Sequence, residues 1–132
     1  VYHNLLIYGF KLLHRRKNMP ITAMDLVANA KQNITEISVT EAKQALSEHL
    51  IIDVREPAEF ANGQIPNAVN IPRGVLEFQI NNHPDFTGQH AAKIIVCCQS
   101  GGRSALATES LHKLGYLNAI SLAGGYKAWA ES

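Results

Sequence analysis

Cys98 is the side chain whose neighbours best equip it for chemistry. An apolar run, Ile94 to Cys97, leads straight into it; Gln99-Ser100-Gly101-Gly102 follow, then Arg103, then a helical pattern from Ser104 to Leu114. This spacing predicts a buried strand, a tight loop and a helix start. Backbone N–H groups at a helix N-terminus have no helical partner, and with the helix dipole they form an anion site. The thiolate, not the thiol, is the nucleophile, and such a site favours it. Gly101 and Gly102 let the loop curl around the sulfur, because glycine tolerates positive φ. Arg103 adds a permanent cation at the rim. The expected chemistry is nucleophilic attack by Cys98 on an anionic substrate held by Gln99, Ser100, Gly101 and Gly102, with Arg103 either binding that anion directly or bridging the loop to carboxylates behind it. The plain alternative is a buried, inert cysteine at a strand end.

A second group of residues is expected to support this loop. Ser104 is read as a first-turn or capping residue of the helix, with its hydroxyl and that of Ser100 near the sulfur. Asp53 and Arg55 end another apolar run, Leu50 to Val54, and are expected to hold structure through an ion pair or hydrogen bonds to neighbouring loops, with direct substrate contact the lesser reading. Arg73 follows a strand end and is a candidate for the pocket mouth or simply a surface arginine. Cys97 precedes the nucleophile on the strand, so it should face the other side of the sheet as a small core residue. Glu56 and Glu59 are read as a solvated helix face with one partner each, Tyr126 and Trp129 as core packing, and His83 and His112 as a loop residue and an exposed residue.

The loop resembles the active-site loop of the single-domain rhodaneses, a family of sulfurtransferases. Ile51 to Phe60 is similar to the family's first signature. Gly63 to Pro72 is similar to its Gly-His-Ile-Pro-Gly-Ala segment, with Gln64 in place of the histidine. Leu114 to Tyr116 and Leu122 to Trp129 are similar to its C-terminal signature. The resemblance covers roughly residues 36 to 131 and rests on four ordered motifs. It implies sulfur transfer in two half-reactions: the Cys98 thiolate takes sulfur from a donor such as thiosulfate, and an acceptor such as cyanide or a protein thiol removes it. It implies no metal and no organic cofactor. The loop N–H groups would stabilise the anionic sulfur in the manner of an oxyanion hole. Gln99 stands where many relatives carry arginine, which removes one cation from the rim, although its amide can still donate a hydrogen bond. An alternative is a carrier that hands persulfide sulfur to a protein partner. A phosphatase or arsenate reductase of similar fold is a weaker reading: such enzymes carry five residues between cysteine and arginine, and here only Gln99 to Gly102 intervene.

Around these residues strands and helices alternate. Helices are expected over Thr22 to Gln32, Thr40 to His49, from Pro57 to about Asn62, and over Gly74 to Asn81. Strands are expected at Ile37 to Val39, Leu50 to Val54, Ala68 to Ile71, Lys93 to Cys97 and Ala119 to Leu122. Gly115 should cap the helix after Cys98, and Gly124-Gly125 should turn the chain into a last helix. Alternation of this kind predicts an α/β fold with a mostly parallel sheet of about five strands and helices on both faces. Sites in such sheets form at the carboxyl ends of strands, where Cys98, Asp53 and Arg55 fall.

The chain has 132 residues and a net charge of +1, the size of one domain. All 11 acidic side chains lie beyond residue 18, so the body is mildly acidic and nucleic acid is not an expected partner. Residues 1–18 carry Lys11, Arg15, Arg16 and Lys17. They are expected to be a flexible upstream extension, or else a basic segment on a membrane surface. Residues 19–35 are read as an N-terminal helix and 36–132 as the rhodanese-like domain. The 2 cysteines are adjacent, so no disulfide framework is expected, and the setting is read as reducing and cytoplasmic. The apolar stretch Leu5 to Leu13 is too short to span a bilayer.

Overall fold

The computed structural model describes residues 19–132; the expected extension, residues 1–18, lies outside them. The first element is helix α1 (Ala23–Lys31). Its N-terminus is closed by a capping box in which Thr22 and Asp25 exchange side-chain-to-backbone hydrogen bonds. Strand β1 (Glu36–Ile37) follows. The expected strand through Val39 is cut short because Ser38 caps helix α2 (Val39–Gln44), again with a capping box, through Glu41. Strand β2 (Leu50–Asp53) leads to helix α3 (Pro57–Ala61), with proline in the first turn. Strand β3 (Val69–Asn70) is brief. The single helix expected over Gly74 to Asn81 is instead one α-turn, α4 (Leu76–Gln79), between two 3₁₀ turns, Arg73–Val75 and Ile80–Asn82. Strand β4 (Ile94–Cys97), helix α5 (Gly102–Lys113), strand β5 (Ala119–Leu122) and helix α6 (Gly125–Glu131) complete the chain.

The five strands form one sheet in the order β1-β5-β4-β2-β3, parallel at every pairing. A parallel sheet is buried on both faces, and the strands alternate accordingly. Ile52, Val96 and Cys98 point into one core with Leu76, Phe86, Leu111 and Tyr116. Ile51, Ile95 and Cys97 point into the other with Ala42, Ile65 and Leu122. Helix α1 joins the assembly by packing Val27 and Ala30 against Ala105 of α5.

Register sets the pole of the sheet. Asp53 pairs with Cys97 across β2 and β4, so both strands end at the same level. The backbone beyond each enters one loop cluster. Asn70 of β3 braces this end: its side-chain amide donates to Asp53 O at 3.0 Å and Arg55 O at 2.9 Å. Arg55 folds back on Asp53 in a buried pair, with guanidinium-to-carboxylate distances of 2.8 to 3.1 Å. Removing one partner of a buried pair leaves an uncompensated charge. Arg55→Met is therefore expected to lower unfolding free energy by roughly 3–5 kcal/mol, measured by urea denaturation. A loss under about 1 kcal/mol would mean the pair does not secure this end of the sheet.

Candidate active site

Cys98 sits where β4 ends and the chain turns back toward α5. Its side chain is buried. Two backbone N–H groups point at Sγ: that of Gly101 at 3.1 Å and that of Ser104 at 3.3 Å. The Ser104 hydroxyl lies 3.5 Å from the same sulfur. Gly101 makes this possible. It occupies the N-cap position of α5 with φ +109°, a left-handed conformation that turns its N–H inward. The helix starts at Gly102, two residues earlier than the sequence pattern suggests, so Arg103 and Ser104 both lie in its first turn.

The loop carbonyls face the other way, onto α6. Tyr126 N–H donates to Cys98 O at 2.7 Å and Lys127 N–H to Gln99 O at 3.0 Å. These are first-turn donors that the helix itself cannot satisfy. Gly125 must be glycine for this docking: a Cβ there would lie 2.6 Å from Cys98 O and 2.5 Å from Gln99 O.

Two arginines flank the loop, and each is matched to a carboxylate. Arg103 holds Glu59 of α3 in a two-point bridge, at 2.8 and 3.1 Å. Hydrogen bonds from Arg103 hold the Glu59 carboxyl down to about 2, assisted by the Glu56 N–H; Arg103 is raised in turn, chiefly by its bond to Glu59. Arg55, besides Asp53, donates to Gly63 O at 2.7 Å and to Gln99 Oε1 at 3.3 Å. The Tyr126 ring lies under its guanidinium, 4.4 Å from ring centre to Cζ. The Tyr126 hydroxyl packs on Gly63, where a Cβ would come within 2.6 Å of the phenol oxygen. Arg55, Glu59, Asn62, Gln99 and Tyr126 line a cleft of about 370 Å³.

The expected site residues therefore divide. Cys98, Gly101, Gly102, Arg103 and Ser104 converge on the sulfur or its helix, and Asp53, Arg55 and Gln99 form the wall beside it. Ser100 is exposed. Arg73 does not join the cleft: its guanidinium bonds Glu77 at 2.9 Å and the Ser110 hydroxyl at 3.2 Å. Cys97 lies in the opposite core, and burial pushes its thiol well above the ordinary cysteine range. His112 is half-buried rather than exposed, with Nε2 2.9 Å from Ala119 O. Glu59 and Tyr126 are the residues sequence reading assigned to surface and core. Glu59 meets Arg103 across 44 residues of chain, which no local pattern reveals. Tyr126 had one usable signal, the Gly124-Gly125 pair before it, which marks a close backbone approach.

No helix among the described residues is long and apolar enough to cross a membrane. The family model for the rhodanese-like domain matches residues 38–132. A chloroplastic protein of Arabidopsis thaliana named thiosulfate sulfurtransferase 16 is 40% identical over 108 residues, spanning 74% of this chain and 88% of that one. The structure of a human single-domain sulfurtransferase superposes with a TM-score of 0.67 at 30% identity, covering 74% of this chain and 96% of its own. A Rhodopseudomonas palustris protein of unknown function, described as a possible tyrosine phosphatase, reaches 0.74 at 29% identity, with 86% and 95% covered.

The Glu59 bridge carries a pH signature. A carboxyl held below its unfolded value contributes stability that is fully present above about pH 4.5 and is lost as pH falls toward about 2. Urea midpoints of the wild type and Glu59→Gln are expected to differ at neutral pH and to converge across that window. A gap that persists unchanged to pH 2 would separate the role of Glu59 from its charge.

Proposed function

The chain belongs to the rhodanese-like domain family, and we propose that it acts as a sulfurtransferase that holds transferred sulfur as a persulfide on Cys98. The observation that carries this reading is the pair of N–H groups, from Gly101 and Ser104, aimed at a buried sulfur at the start of α5. Donors fixed in that way stabilise negative charge on Sγ without reorganising. In the first half-reaction the Cys98 thiolate attacks the outer sulfur of a donor such as thiosulfate. The S–S bond of the donor breaks and sulfite leaves with the electron pair. In the second, a thiolate or cyanide attacks the outer sulfur of the Cys98 persulfide, and Cys98 leaves as a thiolate into the same two N–H groups. Oxidation states balance between donor and acceptor, and no cofactor enters. The likeness to a possible tyrosine phosphatase does not carry the rival reading, because four residues rather than five separate Cys98 from Arg103.

One observation favours a second version of this function, in which the protein carries persulfide sulfur between proteins. Both arginines beside the loop already hold carboxylates, Arg55 with Asp53 and Arg103 with Glu59. The cleft thus offers a small inorganic dianion little uncompensated positive charge. A donor that is itself a persulfide needs less.

Intact mass distinguishes these outcomes. Reduced protein incubated with excess thiosulfate is expected to gain one sulfur, about 32 Da, on Cys98; Cys97→Ala retains the gain, Cys98→Ala loses it, and cyanide removes it. A wild type that takes up sulfur from a protein persulfide but none from thiosulfate would make carriage the function. Gln99→Arg restores a cation to the cleft, so its KM for thiosulfate is expected to fall roughly three- to tenfold in initial-rate measurements, with a smaller change in kcat.

A further inference from the structure

Behind the nucleophile, two buried hydroxyls form a chain that ends on the sulfur. Ser104 and Ser121 are both fully buried. Their oxygens lie 2.8 Å apart, and Ser104 Oγ lies 3.5 Å from Cys98 Sγ. Ser104 is in the first turn of α5, where Thr108 Oγ1 donates to its carbonyl at 2.7 Å. Ser121 belongs to β5, beside β4, so it approaches from a different element. Neither composition nor motif singles it out.

We propose that Ser121 is a positioning residue that acts through Ser104, aiming the Ser104 hydroxyl proton at Cys98 Sγ whenever that sulfur carries negative charge. The chain has two directions. With a neutral thiol one proton is left over: if the hydroxyls keep the order Ser121 to Ser104 to Sγ, the S–H has no acceptor on the chain, and if S–H donates to Ser104 and Ser104 to Ser121, the Ser121 proton needs an acceptor of its own. Among the described residues Ser121 Oγ has one hydrogen-bond partner, Ser104 Oγ, so that direction leaves a buried donor unmatched. With a thiolate, Ser121 donates to Ser104, Ser104 donates to Sγ, and every proton has an acceptor. A buried donor without an acceptor is unfavourable, so the hydroxyl chain prefers the state in which sulfur is the anion. That preference acts when Cys98 attacks the donor. It acts again in the second half-reaction: as an acceptor thiolate bonds the outer sulfur, the Sγ–S bond breaks and its electron pair returns to Sγ, where the Ser104 hydroxyl joins the N–H groups of Gly101 and Ser104. The acceptor gains the sulfur and no proton is consumed at Cys98.

This assignment rests on Cys98 being the nucleophile of the proposed function, but its test does not require sulfur transfer. The charged groups around Cys98 are Arg103 of α5 with its partner Glu59 of α3, and Arg55 after β2 with its partner Asp53; titratable Cys97 of β4 and Tyr126 of α6 flank it. None of these is altered. The rate of Cys98 alkylation by iodoacetamide is followed against pH, with the adduct located by peptide mass. Ser121→Ala is expected to move the midpoint up by about half a unit to one unit, the effect of one hydrogen bond lost from an anion. Ser121→Cys, of similar size and with a weak donor, is expected to move it in the same direction, and Ser121→Thr to restore it. Ser104→Ala is expected to shift it at least as far as Ser121→Ala. Adding Ser121→Ala to Ser104→Ala is expected to shift it no further, since the outer hydroxyl works through the inner one. An unmoved midpoint in Ser121→Ala and Ser121→Cys, or a fully additive double variant, would overturn the proposal. A normal shift in a protein that takes up no sulfur from any donor would overturn the sulfurtransferase reading and leave this one standing.

Discussion

The Cys98 loop depends on two hydrogen bonds received from outside it, those from the first turn of α6 to the carbonyls of Cys98 and Gln99. Fixing the Cys98 and Gln99 carbonyls onto α6 holds the backbone just after the sulfur, and beyond it the left-handed turn at Gly101 brings the N–H groups of Gly101 and Ser104 onto Sγ. The donor end of one helix therefore orders the donor end of another. Glycine at position 125 is the condition for this, since any side chain would collide with both carbonyl oxygens. The glycine at 101 is the matching condition on the loop itself, where a left-handed residue reverses the backbone. The hydroxyls of Ser104 and Ser121 fill the space behind the sulfur that this arrangement creates.

Ion pairs form the frame around the loop. Asp53 and Arg55 are both nearly inaccessible to water, and desolvation of such charges offsets much of their attraction. Their value lies in geometry. Arg55 donates to three partners, Asp53, the Gly63 carbonyl and Gln99, and stacks its face on a fourth, the Tyr126 ring. It thereby ties the end of β2, the α3–β3 loop, the Cys98 loop and α6 into one wall. Glu59 and Arg103 make the outer tie, more exposed and more easily screened. Because each cation carries its own anion, the wall is close to neutral.

What the sequence exposed and what it concealed follow from the range of the interactions. The Cys98 loop is local: strand, cysteine, glycines, arginine and helix start lie within a dozen residues, so their types and spacing carry the geometry. The alternation of strands and helices was equally readable, since burial on both faces of a parallel sheet leaves unbroken apolar runs such as Ile94 to Cys97. Boundaries slipped where a local competitor won, as at Ser38, whose capping box converts the end of an expected strand into a helix start. Glu59 was hidden because its partner is distant in the chain. Tyr126 was hidden because the same half-buried aromatic packs against the core and lines the cleft. Ser121 was hidden because a serine in an apolar strand has no signature until its partner is known.

The two cysteines show how finely the backbone alone can separate chemistry. They are consecutive, both are buried, and both lie at the end of β4. Strand alternation sends Cys97 into the core beneath α2 and α6, where desolvation opposes its ionisation, with Asp53 nearby opposing it further. The next residue turns to the face covered by α5, and the N–H groups at the start of that helix meet its sulfur. A one-residue slip in the register of β4 would exchange these environments. The pairing of Asp53 with Cys97 therefore does more than align two strands. It sets which thiol lies in the core beneath α2 and α6 and which meets the N–H groups of Gly101 and Ser104, and the buried Arg55 bridge that anchors Asp53 extends that placement to the wall of the cleft.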